Sequence, residues 1–201
     1  MKEILDGIYT WSWFSGEKQI AFNGFYVRST GESVVVDPPP YEQSDLRQME
    51  EIGAPEAILL TNVHHARRSG DLARHFGIPI KIHLADASSV DVPIAATFQN
   101  GDHLGGGLVA MHVPDSKSPG ETAFHHPSAG VLIVGDALIG KPAGEVSLLP
   151  PQKFPDPKRA RDGVKRLLDI SFDALLVGDG ESILHGGKKA VQDFLRDAEG
   201  S

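Results

Sequence analysis

Residues 57–70 read AILLTNVHHARRSG. Ala57-Ile58-Leu59-Leu60 is a short apolar run of strand length, and it opens into a polar loop with two adjacent histidines and two adjacent arginines. A strand that ends in a histidine loop is a common way to hold a metal ion. Arg67 and Arg68 are themselves cations, so the same loop also argues against one. Downstream, SGDLARHF (69–76) reads as a helix, with Ser69 as a possible cap, Asp71 in the first turn and Gly77 as its stop.

The pattern extends in both directions. Upstream, IAFNGFYV (20–27) and SVVV (33–36) are β-branched and aromatic, with turn residues Ser29, Thr30 and Gly31 between them. Asp37-Pro38-Pro39-Pro40 stops the second strand. Residues 42–52 carry Leu46, Met49 and Ile52 on one helical face. Downstream, IPIKIH (78–83) reads as a strand, and residues 92–135 read as a series of strands divided by Asn100-Gly101-Asp102, Pro114-Asp115 and Pro127-Ser128-Ala129-Gly130. Asp156 and Pro157 cap and start a helix over 157–169. An apolar strand at 173–177 ends in Gly178-Asp179-Gly180, and a last helix spans 187–198. Strands outnumber helices in each half, and each half ends helical, which implies a layered α/β (α+β) domain.

Bulk properties narrow the function classes. The chain has 201 residues, 40% apolar and 23% charged, no cysteine and a net charge of −8. Disulfides and thiolate metal sites are excluded. The acidic balance argues against a nucleic-acid surface. No apolar run is long enough for a membrane span, and the N-terminus carries no leader pattern. A cytoplasmic protein is expected, with no nucleic-acid or membrane partner. Trp11-Ser12-Trp13-Phe14 is the most unusual aromatic cluster; it fits a core or edge strand better than an interface, and a homodimer through an edge strand is a possible use of it.

Taken in order, N-G-F-Y-V, V-V-V-D-P, the strand with T-x-x-H at 61–64, S-P-G-E-T at 118–122, V-G-D at 134–136 and V-G-D-G at 177–180 resemble the metallo-β-lactamase superfamily, glyoxalase-II-like hydrolases included. The resemblance covers about residues 20 to 195. It implies a four-layer αββα sandwich, with one such domain over 1–201 and the site at one edge of the two packed sheets. The family's signature loop is T-H-x-H-x-D-H. Here Thr61 and His64 match it, while Asn62, Ala66 and Arg67 stand in place of a histidine, the aspartate and the last histidine. Lys117, or Ser116, takes the place of the next ligand histidine. Asp136 matches the bridging aspartate, and Asp179 replaces the final histidine.

On that reading the dinuclear metal site is eroded. Arginine has no lone pair to give, and lysine only after losing its proton. Arg67 and Lys117 are expected to balance Asp136 and Asp179 in place of metal ions, and no cofactor is expected. The expected pocket is Asn62, His64, His65, Arg67, Lys117, Glu121, Asp136 and Asp179, holding a small anionic molecule, with His65 and Asp179 as the candidates for any residual acid–base catalysis. One alternative is a mononuclear hydrolase of an ester, thioester or amide, with one zinc, iron or manganese ion on His64, Asp136 and Asp179, and His65 as a further candidate ligand. A second is a non-catalytic interaction protein. His125 and His126 are expected at the surface, and His185 at a helix start.

Overall fold

The computed structural model describes residues 1–29 and 31–197. Thr30 in the turn expected after Ser29, and Ala198 at the end of the last expected helix, lie outside them. Seven strands form one sheet in chain order: β1 (Lys2–Leu5), β2 (Ile8–Ser15), β3 (Ile20–Ser29), β4 (Glu32–Val36), β5 (Ala57–Leu60), β6 (Ile80–His83) and β7 (Ala96–Phe98). Five form the other: β8 (His103–Leu104), β9 (Leu108–His112), β10 (Thr122–His126), β11 (Val131–Val134) and β12 (Ala174–Val177), ordered β12-β11-β10-β9-β8. The helices are α1 (Gln43–Ile52), α2 (Ser69–Phe76), α3 (Pro157–Lys165) and α4 (Gly187–Asp197).

Strand alternation sorts the apolar side chains into three seams. Val34, Val36, Leu59, Ile133 and Leu176 point into the space between the sheets, with Phe25, Leu108 and Phe124. Val35, Ile58 and Leu60 point to the outer face of the first sheet, under Leu46 and Met49 of α1 and Leu72 of α2. Leu132, Val134, Leu175 and Val177 point to the outer face of the second, under Val164 of α3 and Val191 and Leu195 of α4. Strands covered on both faces become the continuous apolar runs seen at 34–36, 57–60 and 174–177. The result is the αββα sandwich, with each fully buried leucine or valine contributing about 1.5–3 kcal/mol.

Several local expectations are refined. Asp156 caps α3 by accepting from Lys158 N and Arg159 N, with Pro157 as its first residue, and the helix tightens to a 3₁₀ turn from Arg166. Gly77 ends α2 in the left-handed region at φ 68°. Ser69 does not cap it: α2 has no side-chain cap, and the buried Ser69 hydroxyl has no partner among the described residues. The strand expected from residue 92 begins only at Ala96. His126 is buried at 7% exposure rather than at the surface, because β10 turns it inward beside Gly107. The aromatic cluster divides along β2: Trp11 is buried, while Trp13 and Phe14 are 43% and 60% exposed. No helix among the described residues is long and apolar enough to cross a membrane.

Parallel pairing places the site. β4 runs parallel to β5, and β11 to β12. Parallel neighbours end at the same edge, so the residues after Val36, Leu60, Val134 and Val177 converge. β10 is antiparallel to β11, so its start brings Glu121 to that edge as well.

Candidate functional site

His65 is the centre of the convergence. Asn62 caps a 3₁₀ turn over Val63–His65, its side-chain oxygen accepting from His64 N at 2.8 Å. That turn drives the second histidine inward and leaves the first at the surface. His65 is 1% exposed. Its Nδ1 lies 2.7 Å from Asp37 Oδ2, and its Nε2 lies 3.6 Å from Asp136 Oδ1 and 4.0 Å from Asp179 Oδ1. Burial and the Arg67 guanidinium push its proton affinity down, but Asp37 and Asp136 outweigh them, and its pKa is raised to about 10. The ring fits only because residue 178 is glycine: a Cβ there would lie 2.5 Å from His65 Cε1.

Two further cations complete the cluster. Lys117 Nζ donates to Asp136 Oδ2 at 2.8 Å. Burial pushes the Asp136 carboxyl up, but His65 and Lys117 overcome this and hold it well below the usual carboxylate range. Arg67 donates to Asp179 Oδ1 and stands 3.3 Å from His65 Nε2. Its guanidinium lies 4.3 Å from the centre of the Phe22 ring and reaches the carbonyls of Asn23 and Gly178 at 3.5 Å. Arg67 itself adopts φ 35°, uncommon for a side-chain-bearing residue, while Asp37 takes φ 48°, a region aspartate enters more readily.

Asp37 was legible only as a strand stop, and the structure makes it part of the site. Its carboxylate accepts from Thr61 N at 2.9 Å, from Thr61 Oγ1 at 2.6 Å and from His65. The available signal was V-V-V-D-P, a charged residue directly after a buried strand. Phe22 and Asp86 were also absent from the expected set. Asp86 is fully buried, accepts from Gly120 N at 2.8 Å and Val63 N at 3.3 Å, and holds Ser118 Oγ. It thereby fastens the segment that carries Lys117.

The other expected residues take different positions. Asn62 is fully buried and braces the loop, with its amide 3.3 Å from Thr61 Oγ1. Glu121 is also fully buried: its Oε1 accepts from Ala137 N at 3.2 Å, and Oε2 has no partner among the described residues. Burial, then the Asp136 charge, raises its pKa well above the ordinary carboxyl value. His64 is exposed at the rim, its proton affinity lowered by partial burial and by Lys117. Of the two candidates for one slot, Lys117 reaches Asp136, while the Ser116 hydroxyl is buried without a partner among the described residues. His185 is exposed and pairs with Asp173 at 3.0 Å.

His65, Asp136 and Asp179 form a group whose ligand atoms lie within 4.8 Å of one another, the spacing of a possible metal triad. The imidazole in it is His65, the further candidate of the sequence reading, and His64 is not part of the group. A cleft of about 960 Å³ lined by Arg28, Glu32, Glu56 and His126 lies at the opposite end of the strands and shares no residue with this cluster.

A family model described as the metallo-beta-lactamase superfamily matches residues 1–197. A crystal structure of TTHA1623 in a di-iron-bound form superposes with a TM-score of 0.70 at 24% identity, covering 90% of this chain and 98% of that one. The metallo-beta-lactamase family protein TTHA1429 from Thermus thermophilus gives 0.73 at 20% identity, covering 98% and 80%. The DIM-1 metallo-beta-lactamase gives 0.76 at 14% identity, covering 98% and 96%. At these identities the likeness establishes the fold. A comparison with curated proteins finds no significant match.

Proposed function

The chain belongs to the metallo-beta-lactamase superfamily, and from that premise we propose that its site is a pocket for a small oxyanion, such as a carboxylate or phosphate, with weak or no hydrolysis. One observation carries the reading. Arg67 and Lys117 reach the same edge from separate loops, and Lys117 has N–H donors to spare after meeting its aspartate. His64 stands at the rim beside Lys117. Beneath them, His65 and the two cations balance Asp37, Asp136 and Asp179, and burial raises the pKa of the Glu121 carboxyl beside them. An incoming anion therefore meets directed donors rather than a large net positive charge, and affinity in the range of about 1 mM is expected.

A thermal-shift titration with phosphate, sulfate, acetate and malonate tests this. Binding to the folded state raises the melting temperature by mass action. The expected result is a concentration-dependent rise in the wild type that shrinks in Lys117→Gln. If none of these anions moves the wild-type transition, the pocket reading fails.

A second reading has one observation in its favour: the ligand atoms of His65, Asp136 and Asp179 lie close enough together to share an ion. It makes the protein a mononuclear metal-dependent hydrolase, in which the ion would supply a polarised carbonyl and an activated water. It requires the purified protein to retain metal.

A further inference from the structure

A divalent ion needs lone pairs aimed at a common point about 2 Å away. Each residue of the triad is already turned to a side-chain cation. His65 Nε2 faces Arg67 Nη2 at 3.3 Å, and its other ring nitrogen is held by Asp37. Asp179 Oδ1 receives Arg67, and Asp136 Oδ2 receives Lys117. The neighbouring positions add no fourth ligand. The oxygen of Asn62 is used by His64 N, Ala66 has no donor, Glu121 lies outside the group of ligand atoms within 4.8 Å of one another, and the His64 ring is at the surface.

Arg67 is also fixed in place. Its side chain is about 10% exposed. Phe22 covers its guanidinium, Asp179 and two carbonyls receive its N–H groups, and its unusual backbone angle turns it toward the cluster. A flexible surface arginine could swing aside for an ion at little cost; one held by this many contacts cannot.

We propose that side-chain cations are the permanent counter-ions of this site: Arg67 for Asp179, Lys117 for Asp136, and the His65 ring in the space between the carboxylates. The folded protein then holds no divalent ion there, and shortening the two long cations to imidazoles creates a metal site. Arg67→His and Lys117→His, with His65, Asp136 and Asp179, would offer five N/O donors in place of three.

The test uses wild type and the double variant Arg67→His/Lys117→His, both purified without a metal-affinity tag. Each is incubated with excess Zn²⁺, Mn²⁺ or Fe²⁺, desalted and measured by plasma mass spectrometry, with circular dichroism and melting temperature recorded in parallel. The wild type is expected to retain less than about a tenth of an ion per chain, and the variant about one, with a rise in melting temperature on loading. One retained ion per wild-type chain overturns the proposal whether or not the variant folds. A folded variant that stays metal-free also overturns it, since the long cations would not be what excludes the ion. The phosphate titration reads a different event: a wild type that takes neither phosphate nor zinc fails the oxyanion reading and keeps this one.

Discussion

Asp37 Oδ2 and His65 Nδ1 lie 2.7 Å apart, both almost wholly buried, and join the end of one strand to the loop after its parallel neighbour. The same carboxylate takes both donors of Thr61. Replacing it with alanine strands a buried imidazole and a buried backbone N–H, and also places a side chain with no local hydrogen bond at φ 48°. Asp37→Ala should cost about 3–5 kcal/mol. Asp37→Asn keeps an acceptor and tolerates the backbone angle, so its cost should be lower, at about 1–3 kcal/mol. Urea denaturation of the two variants checks the order; equal losses would mean that the charge and the backbone angle do not act separately.

Stability should fall as pH rises through the neutral and alkaline range. The folded pKa of His65 is about 10 against an ordinary 6.5. A raised histidine contributes fully below its unfolded value and is lost as pH climbs toward the folded one, removing up to about 1.4 kcal/mol per unit over that window. Glu121 is also raised, so its carboxyl adds a loss of the same sign that begins above 4.5. Asp136 is depressed and acts the other way: its contribution is lost only below its ordinary 3.8. The stability maximum is therefore expected on the acid side of neutrality. Urea midpoints across pH 4–10 locate it, and Glu121→Gln should flatten the segment just above pH 4.5.

Gly178 should resist any side chain while His65 is present. A Cβ would come within 2.5 Å of Cε1 and 2.9 Å of Nδ1 of that ring. Gly178→Ala should cost about 1–3 kcal/mol by overpacking. In a His65→Ala background the same change should cost under about 0.5 kcal/mol, the signature of a shared contact in a double-mutant cycle. An unchanged penalty would place the clash in the backbone instead.

Much of this arrangement was legible in the chain, and the failures share a cause. Runs such as Val34–Val36 and Ala174–Val177 are buried on both faces, so composition alone marks them as strands. The acidic ends Asp136 and Asp179, and the basic residues Arg67 and Lys117, were placed by the resemblance of their motifs to the family's ligand positions, and the parallel pairing of β4 with β5 and of β11 with β12 brings them to one edge. Which of two adjacent histidines enters the site is different. It depends on a one-residue phase in a 3₁₀ turn set by the Asn62 cap, and nothing in the spacing of His64 and His65 distinguishes them. Asp37 hid for a similar reason: an aspartate before three prolines satisfies every local rule for ending a strand. His126 escaped because its burial comes from the close approach of Gly107, a contact remote in sequence.

The Trp13 and Phe14 side chains should affect surface behaviour more than stability. Phe14→Ser, at a 60% exposed position, is expected to change unfolding free energy by no more than about 0.5 kcal/mol. Trp13 packs at 5.8 Å on Phe22, which in turn covers Arg67. Trp13→Ala should therefore weaken any phosphate-induced melting shift, while Phe14→Ser leaves it intact. Thermal-shift titrations of the pair distinguish the two positions.

At the site edge the two sheets are sewn together. Asn23 N donates to Gly178 O, and its side-chain amide donates to the carbonyls of Val177 and Gly180, all at 2.8 Å; Phe22 and Asp179 form a bridge beside them. The sandwich therefore cannot gape at this end like a clam. The approach to the site is from the side of His64 and Lys117, the exposed and partly exposed side chains of the cluster. The amide protons of Asn23 and Gly178 should exchange with solvent as slowly as the slowest in the molecule.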